Sequence, residues 1–204
     1  MIGLAGAHRS GKSTLARLVA EKIGIEYLDM DVGQVFKDLG VDPKAMMPFE
    51  ERLVIQEKIL DHIGAKLSLR IGQRFIADRT PYDVLMYTLA DVQRGTLDDR
   101  LRAKVSAHMD RGYRIVAETL RGVLVLSPLY GLPDAPGKAQ TCPIYTGHVN
   151  AILQDIVRMP LPNTMVAVTD HLDLNERAMD LVVFHNAVLH AGSESKSTLW
   201  TPNS

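Results

Sequence analysis

Short apolar runs alternate along this chain with stretches in which apolar residues recur every three or four positions. Ile2 to Ala5 is the first run and predicts a buried strand that ends against glycine. Thr14 to Ile23 then sets Leu15, Leu18, Val19 and Ile23 on one helical face, and Gly24 supplies the stop. Ile25 to Leu28 predicts a second strand, Phe49 to Leu69 a long helix carrying Leu53, Ile59, Ile63 and Leu67, and Phe75 to Ala77 a third strand. Thr80-Pro81-Tyr82-Asp83 reads as a helix start: a threonine cap, proline at the first helical position and an acid in the first turn. Leu97, Leu101, Val105 and Met109, four residues apart, predict a further helix. Gly122 to Leu126 is a fourth strand, Val149 to Arg158 a helix, and Thr164 to Thr169 a fifth strand. The last helix opens on the capping spacing Asp173-x-x-Glu176 and runs to about His190. Strand and helix alternating so regularly predict a parallel sheet covered by helices on both faces. Ligands of such sheets lie beyond the carboxyl ends of the strands, and that edge is where chemistry is expected.

Composition narrows the class without changing this outline. The 204 residues are 46% hydrophobic and 23% charged with a net charge of −1, ordinary values for one globular domain and no basic field for nucleic acid or membrane. Cys142 is the one cysteine, so neither a disulfide framework nor a four-cysteine zinc site fits within the chain. The seven histidines show no metal-binding pairing. No apolar run reaches membrane-spanning length and none reads as a signal peptide, so a cytoplasmic protein is expected. The predicted organisation is a single domain over 1–191, with an insertion over 29–72, a loop rich in proline and glycine over 129–143, and a small, polar, flexible tail over 192–204.

Gly6-Ala7-His8-Arg9-Ser10-Gly11-Lys12-Ser13-Thr14 fits G-x-x-x-x-G-K-[ST] without a mismatch, and it follows a strand and opens a helix as the motif requires. Its glycines let backbone N–H groups turn inward around phosphate oxygens, and the helix aims its positive end at the same anion. Lys12 is expected to bridge the β- and γ-phosphates of ATP or a close relative, Ser13 to ligate Mg²⁺, and Thr14 to face the α-phosphate. The second cluster is Asp78-Arg79, directly after the third strand: a carboxylate for Mg²⁺ or an acceptor oxygen beside a guanidinium suited to phosphate, or else an ion pair that pins a helix.

With Arg9 in its loop and Asp78-Arg79-Thr-Pro-Tyr-Asp-Val-Leu-Met-Tyr87 after the third strand, the chain resembles the thymidylate kinases and, more broadly, nucleoside monophosphate kinases of the phage deoxynucleotide-kinase sort. The resemblance implies a P-loop three-layer α/β/α sandwich with a five-stranded parallel sheet in the order 2-3-1-4-5. It implies ATP and Mg²⁺ as cofactors, Asp78 acting near Mg²⁺ and the acceptor, Arg79 on the acceptor phosphate, and Arg9 at the γ-phosphate. The sequence departs from the family twice. The candidate lid, 129–143, holds Lys138 as its one cation where such kinases carry arginines, and the 29–72 insertion does not follow the thymidylate kinase pattern.

Three weaker signals bear on the acceptor. Asp29 and Asp31, one residue apart after the second strand, either contact a substrate hydroxyl, as in the D-x-D of shikimate-kinase-type enzymes, or form a polar turn before the next helix. The cations between Arg94 and Arg121 read as a solvated helix face, or as a stripe for a polynucleotide acceptor. Met46, Met47 and the other methionines read as core fillers. The preferred reading is phosphoryl transfer to a (deoxy)nucleoside monophosphate. The alternatives are a small-molecule hydroxyl kinase, a polynucleotide or modified-base kinase, and a regulatory P-loop ATPase; the last is disfavoured by the lack of an N-K-x-D signature and of an apolar run ending in Asp-Glu. A homodimer is compatible with all of these.

Overall fold

The computed structural model describes residues 1–43, 45–92, 97–130 and 142–197, the final stretch from 192 by its backbone alone. The five strands are β1 (Ile2–Ala5), β2 (Glu26–Leu28), β3 (Phe75–Ala77), β4 (Gly122–Leu126) and β5 (Met165–Thr169). All pair in parallel, in the order β2-β3-β1-β4-β5, as the resemblance implied. Ile2 stands opposite Ile76 on one side and Gly122 on the other, so the strand leading into the glycine loop lies at the centre of the sheet.

Helices cover both faces, and strand alternation sorts the core between them. On β4, Leu124 and Leu126 face α1 (Lys12–Ile23) and α7 (Leu174–Ser197), where they meet Leu15, Val19, Leu181 and Phe184. Val123 and Val125 face the larger cluster under α3 (Phe49–Ser68), α4 (Pro81–Val92), α5 (Asp99–Thr119) and α6 (Pro143–Ile156). A short helix, α2 (Val32–Asp38), joins β2 to that layer. β5 forms the outer edge, and there Val168 remains 44% exposed.

Several local expectations shift. Leu18 is 38% exposed; Ala16 and Ala20 fill the buried stripe of α1 instead, because small side chains let the helix sit close to the sheet. Met46 is fully exposed rather than a core filler. Helix α6 begins at Pro143, six residues before the apolar spacing announced it, with proline at its first position. Helix α7 continues through Gly192 to Ser197, where composition predicted a tail. The cations of α5 form a solvated face, and several are engaged there: Arg100 and Lys104 meet Glu50 of α3, and Arg111 meets Asp61. No helix among the described residues is long and apolar enough to cross a membrane.

Candidate active site

The loop between β1 and α1 turns at two left-handed residues, Arg9 (φ 60°) and Gly11 (φ 87°). A side chain at the second would strain the backbone, which is the physical content of the motif's second glycine. Gly11 then serves as N-cap of α1 without any side-chain cap, so its first-turn amides stay available to an anion. Ser10 is buried, His8, Ser13 and Thr14 are exposed, and Ala7 is packed into the core.

Lys12 is 7% exposed and folds back onto its own loop. Its ammonium donates to the carbonyls of Gly6 (2.5 Å) and Ala7 (2.9 Å) and to Ser10 Oγ (3.4 Å), with Asp83 Oδ1 at 3.5 Å. Burial pushes its pKa down to about 8, with Arg79 adding to the fall and Asp83 and Asp78 opposing it. The phosphate-bridging posture expected from the motif therefore requires this side chain to swing out of its loop.

Asp78 leaves the end of β3 as expected and is 5% exposed. Oδ2 accepts from Ser13 Oγ at 2.6 Å and from Tyr27 OH at 2.9 Å; Oδ1 accepts from the Met30 amide at 3.1 Å. One carboxylate thus ties the first turn of α1 to the segment after β2. Burial first and then Asp78 push the Tyr27 pKa up to about 12, which keeps the phenol neutral as a donor. Arg79, next in sequence, is half-buried, and its guanidinium makes no hydrogen bond or ion pair among the described residues. Its charge acts on Lys12, His8 and Tyr87, so it lies within electrostatic reach of the loop.

His8 donates its backbone N–H to Tyr87 OH at 3.0 Å, and its ring stacks on that tyrosine with centroids 4.6 Å apart. The packing around the ring, then the Arg79 and Lys12 cations, hold the imidazole well below its ordinary pKa and so neutral. Burial likewise raises Tyr87.

Asp29 and Asp31 do not lie on an extended segment. The strand stops at Leu28, Asp29 Oδ1 accepts the Asp31 amide at 2.8 Å, and Asp31 is left-handed at φ 42°. The two side chains are exposed beside the segment that Asp78 holds, but the shared direction assumed for them fails because the chain turns between them. Lys138 falls outside the described residues, as does most of the candidate lid.

Two residues to which the sequence assigns no role at the loop bracket it. Asp83, taken as a helix-start acid, accepts Gly6 N–H at 3.3 Å as well as Thr80 N–H (2.9 Å) and Thr80 Oγ1 (3.1 Å). The threonine expected to cap α4 is therefore a donor to the acid. Arg177, in the first turn of α7, is 2% exposed and donates to Ser10 O at 2.6 Å, His171 O at 2.5 Å and Ser127 O at 2.8 Å. Asp83 was visible in the Thr-Pro-x-Asp start, whereas nothing local distinguishes Arg177 from a surface charge beside Glu176.

Sheet order and loop together define the fold of the P-loop kinases. A structure of deoxyadenosine kinase from M. mycoides with products dCMP and a flexible dCDP is similar at a TM-score of 0.63 and 17% identity, over 92% of this chain and 98% of that one. The same kinase with bound dCTP gives a TM-score of 0.60 at 17% identity, over 91% and 98%. The YorR protein of Bacillus subtilis, in complex with phosphorylated GDP, gives 0.50 at 18% identity, over 93% and 97%. No family model and no curated protein matches the sequence.

Proposed function

We propose that this chain transfers the γ-phosphoryl group of ATP, with Mg²⁺, to a (deoxy)nucleoside monophosphate. The observation that carries the reading is the Ser13–Asp78 hydrogen bond of 2.6 Å, which joins the P-loop helix to the acceptor-side segment at the carboxyl edge of the sheet. Loop amides and the α1 terminus bind the donor phosphates, and Lys12 moves from the Gly6 and Ala7 carbonyls onto them. Ser13 and Asp78 offer the hard oxygens that suit Mg²⁺. Among the described residues no three acidic, histidine or cysteine side chains could cage a metal, which fits an ion that takes most of its ligands from phosphate and water. Bound there, Mg²⁺ would neutralise charge on the transferring group. Arg79, uncommitted and close to Lys12, is the cation for the acceptor phosphate. His8 stacks on Tyr87 beside the loop.

A second reading, transfer to an unphosphorylated nucleoside, is favoured by the neighbouring deoxyadenosine kinase holding dCMP as a product. A polynucleotide acceptor has less support, since Arg100, Lys104 and Arg111 of the basic stripe are already engaged by Glu50 and Asp61. Coupled ADP release, screened over nucleosides, their monophosphates and small hydroxy acids with Lys12→Ala as blank, tests the proposal. A deoxynucleoside monophosphate is expected to raise release well above the blank, with Arg79→Ala raising its KM at nearly unchanged ATP affinity. If no acceptor raises release, the kinase reading is wrong; if only free nucleosides do, the second reading replaces the first.

A further inference from the structure

The P-loop is gripped by a buried side chain from outside the motif. Arg177 is all but inaccessible, yet its fork spans three chain segments: Ser10 in the loop after β1, Ser127 after β4 and His171 after β5. Each of its three donor nitrogens thus meets a backbone carbonyl, which offsets much of the cost of burying a guanidinium; the Asp170 and Asp180 carboxylates lie close enough to help hold its charge.

The consequence lies across the Ser10–Gly11 peptide. No cis peptide bond occurs in the described chain, so this unit is trans, and its carbonyl and N–H point in opposite directions. By holding Ser10 O at 2.6 Å, Arg177 turns the Gly11 N–H to the side opposite its own guanidinium. That N–H has no partner among the described residues. A cationic donor on the carbonyl also polarises the peptide and strengthens the amide as a donor. We infer that Arg177 is a positioning residue that fixes the Gly11 amide as a phosphate donor and ties this setting to the loops after β4 and β5. The inference rests on the proposed nucleotide reading of the loop.

The test compares wild type, Arg177→Met, Arg177→Lys and Lys12→Ala by calorimetry, using Mg²⁺–ADP and inorganic tripolyphosphate as probes. The Gly11 amide is followed in ¹⁵N-labelled protein. In wild type, tripolyphosphate is expected to bind and to move the Gly11 amide proton downfield. Arg177→Met is expected to lose about tenfold or more in affinity for both probes, with the Gly11 shift collapsed while core amides stay in place. Arg177→Lys keeps the buried cation but not the three-way fork, and is expected to lose several-fold. It carries the test should Arg177→Met fail to fold. Wild-type affinity together with a wild-type Gly11 shift in the variants would overturn the inference and leave the nucleotide reading intact. Failure of wild type to bind either probe more tightly than Lys12→Ala would overturn both.

Discussion

Lys12 carries a positive charge into a place largely shielded from water, and this makes the loop sensitive to pH. Its pKa of about 8 lies below the ordinary 10.5, with burial as the main cause. Between those values the unfolded chain binds more protons than the folded one, so Lys12's contribution makes the fold more stable as pH rises from about 8 to 10.5. Nucleotide binding runs the other way, since a polyphosphate favours the protonated ammonium. Affinity for Mg²⁺–ADP at fixed free Mg²⁺ is therefore expected to be flat near pH 7 and to fall above about 8, by up to about tenfold per pH unit. Around this group, His8 is neutral throughout the window, and the charges of Asp83, Arg79 and Asp78 act on the ammonium. Calorimetry from pH 7 to 9.5 on wild type and Lys12→Ala checks this. A fall of equal steepness in both would assign the titration to another group.

The helices owe their positions to close approaches that sequence periodicity does not encode. At Gly122, where β4 begins, an added Cβ would stand 2.7 Å from Val188 Cγ2 and 2.9 Å from the Phe184 ring, so α7 lies almost on the strand backbone. Gly122→Val has better strand propensity, yet it is expected to destabilise the fold by about 1–3 kcal/mol through overpacking. Urea unfolding monitored by circular dichroism measures it, and an unchanged midpoint would mean that α7 can shift without loss. By contrast, replacing Arg100 and Lys104 together by serine is expected to leave the unfolding midpoint almost unmoved, because their pairs with Glu50 are exposed. This contrast marks what could be read in advance. Ile2–Ala5, Phe75–Ala77 and Gly122–Leu126 were legible because strands buried on both faces are continuous apolar runs bounded by glycine or charge. The loop from Gly6 to Thr14 was legible because phosphate binding demands glycines at fixed spacing. Asp83 was legible only as a helix-start acid and Arg177 not at all, since their partners in the loop lie 77 and 167 residues away and a buried charge looks like a surface one until the chain is folded.

On the proposed function, donor and acceptor would lie against one sheet edge, and the distance between them is what separates the two acceptor readings. The P-loop occupies the centre of that edge, on β1; Asp78 and the Asp29–Asp31 segment continue it across β3 and β2. In-line transfer strings donor phosphates, transferring group and acceptor along this edge. A linked analogue matches it best when its phosphate chain has one unit more than both substrates bring together. For a nucleoside monophosphate acceptor that is adenosine joined to the nucleoside through five phosphates; for a bare nucleoside it is four. Since a bridging ligand recruits binding energy from both ends, the matched length is expected to bind about tenfold or more tighter than the length one phosphate away. With Arg79 engaged on the acceptor phosphate, the five-phosphate compound is expected to win, and Arg79→Ala to narrow its lead. Inhibition constants for both lengths, measured on wild type and Arg79→Ala, decide the point: preference for four phosphates, unaffected by Arg79, would move the acceptor to an unphosphorylated nucleoside and Arg79 to the donor side.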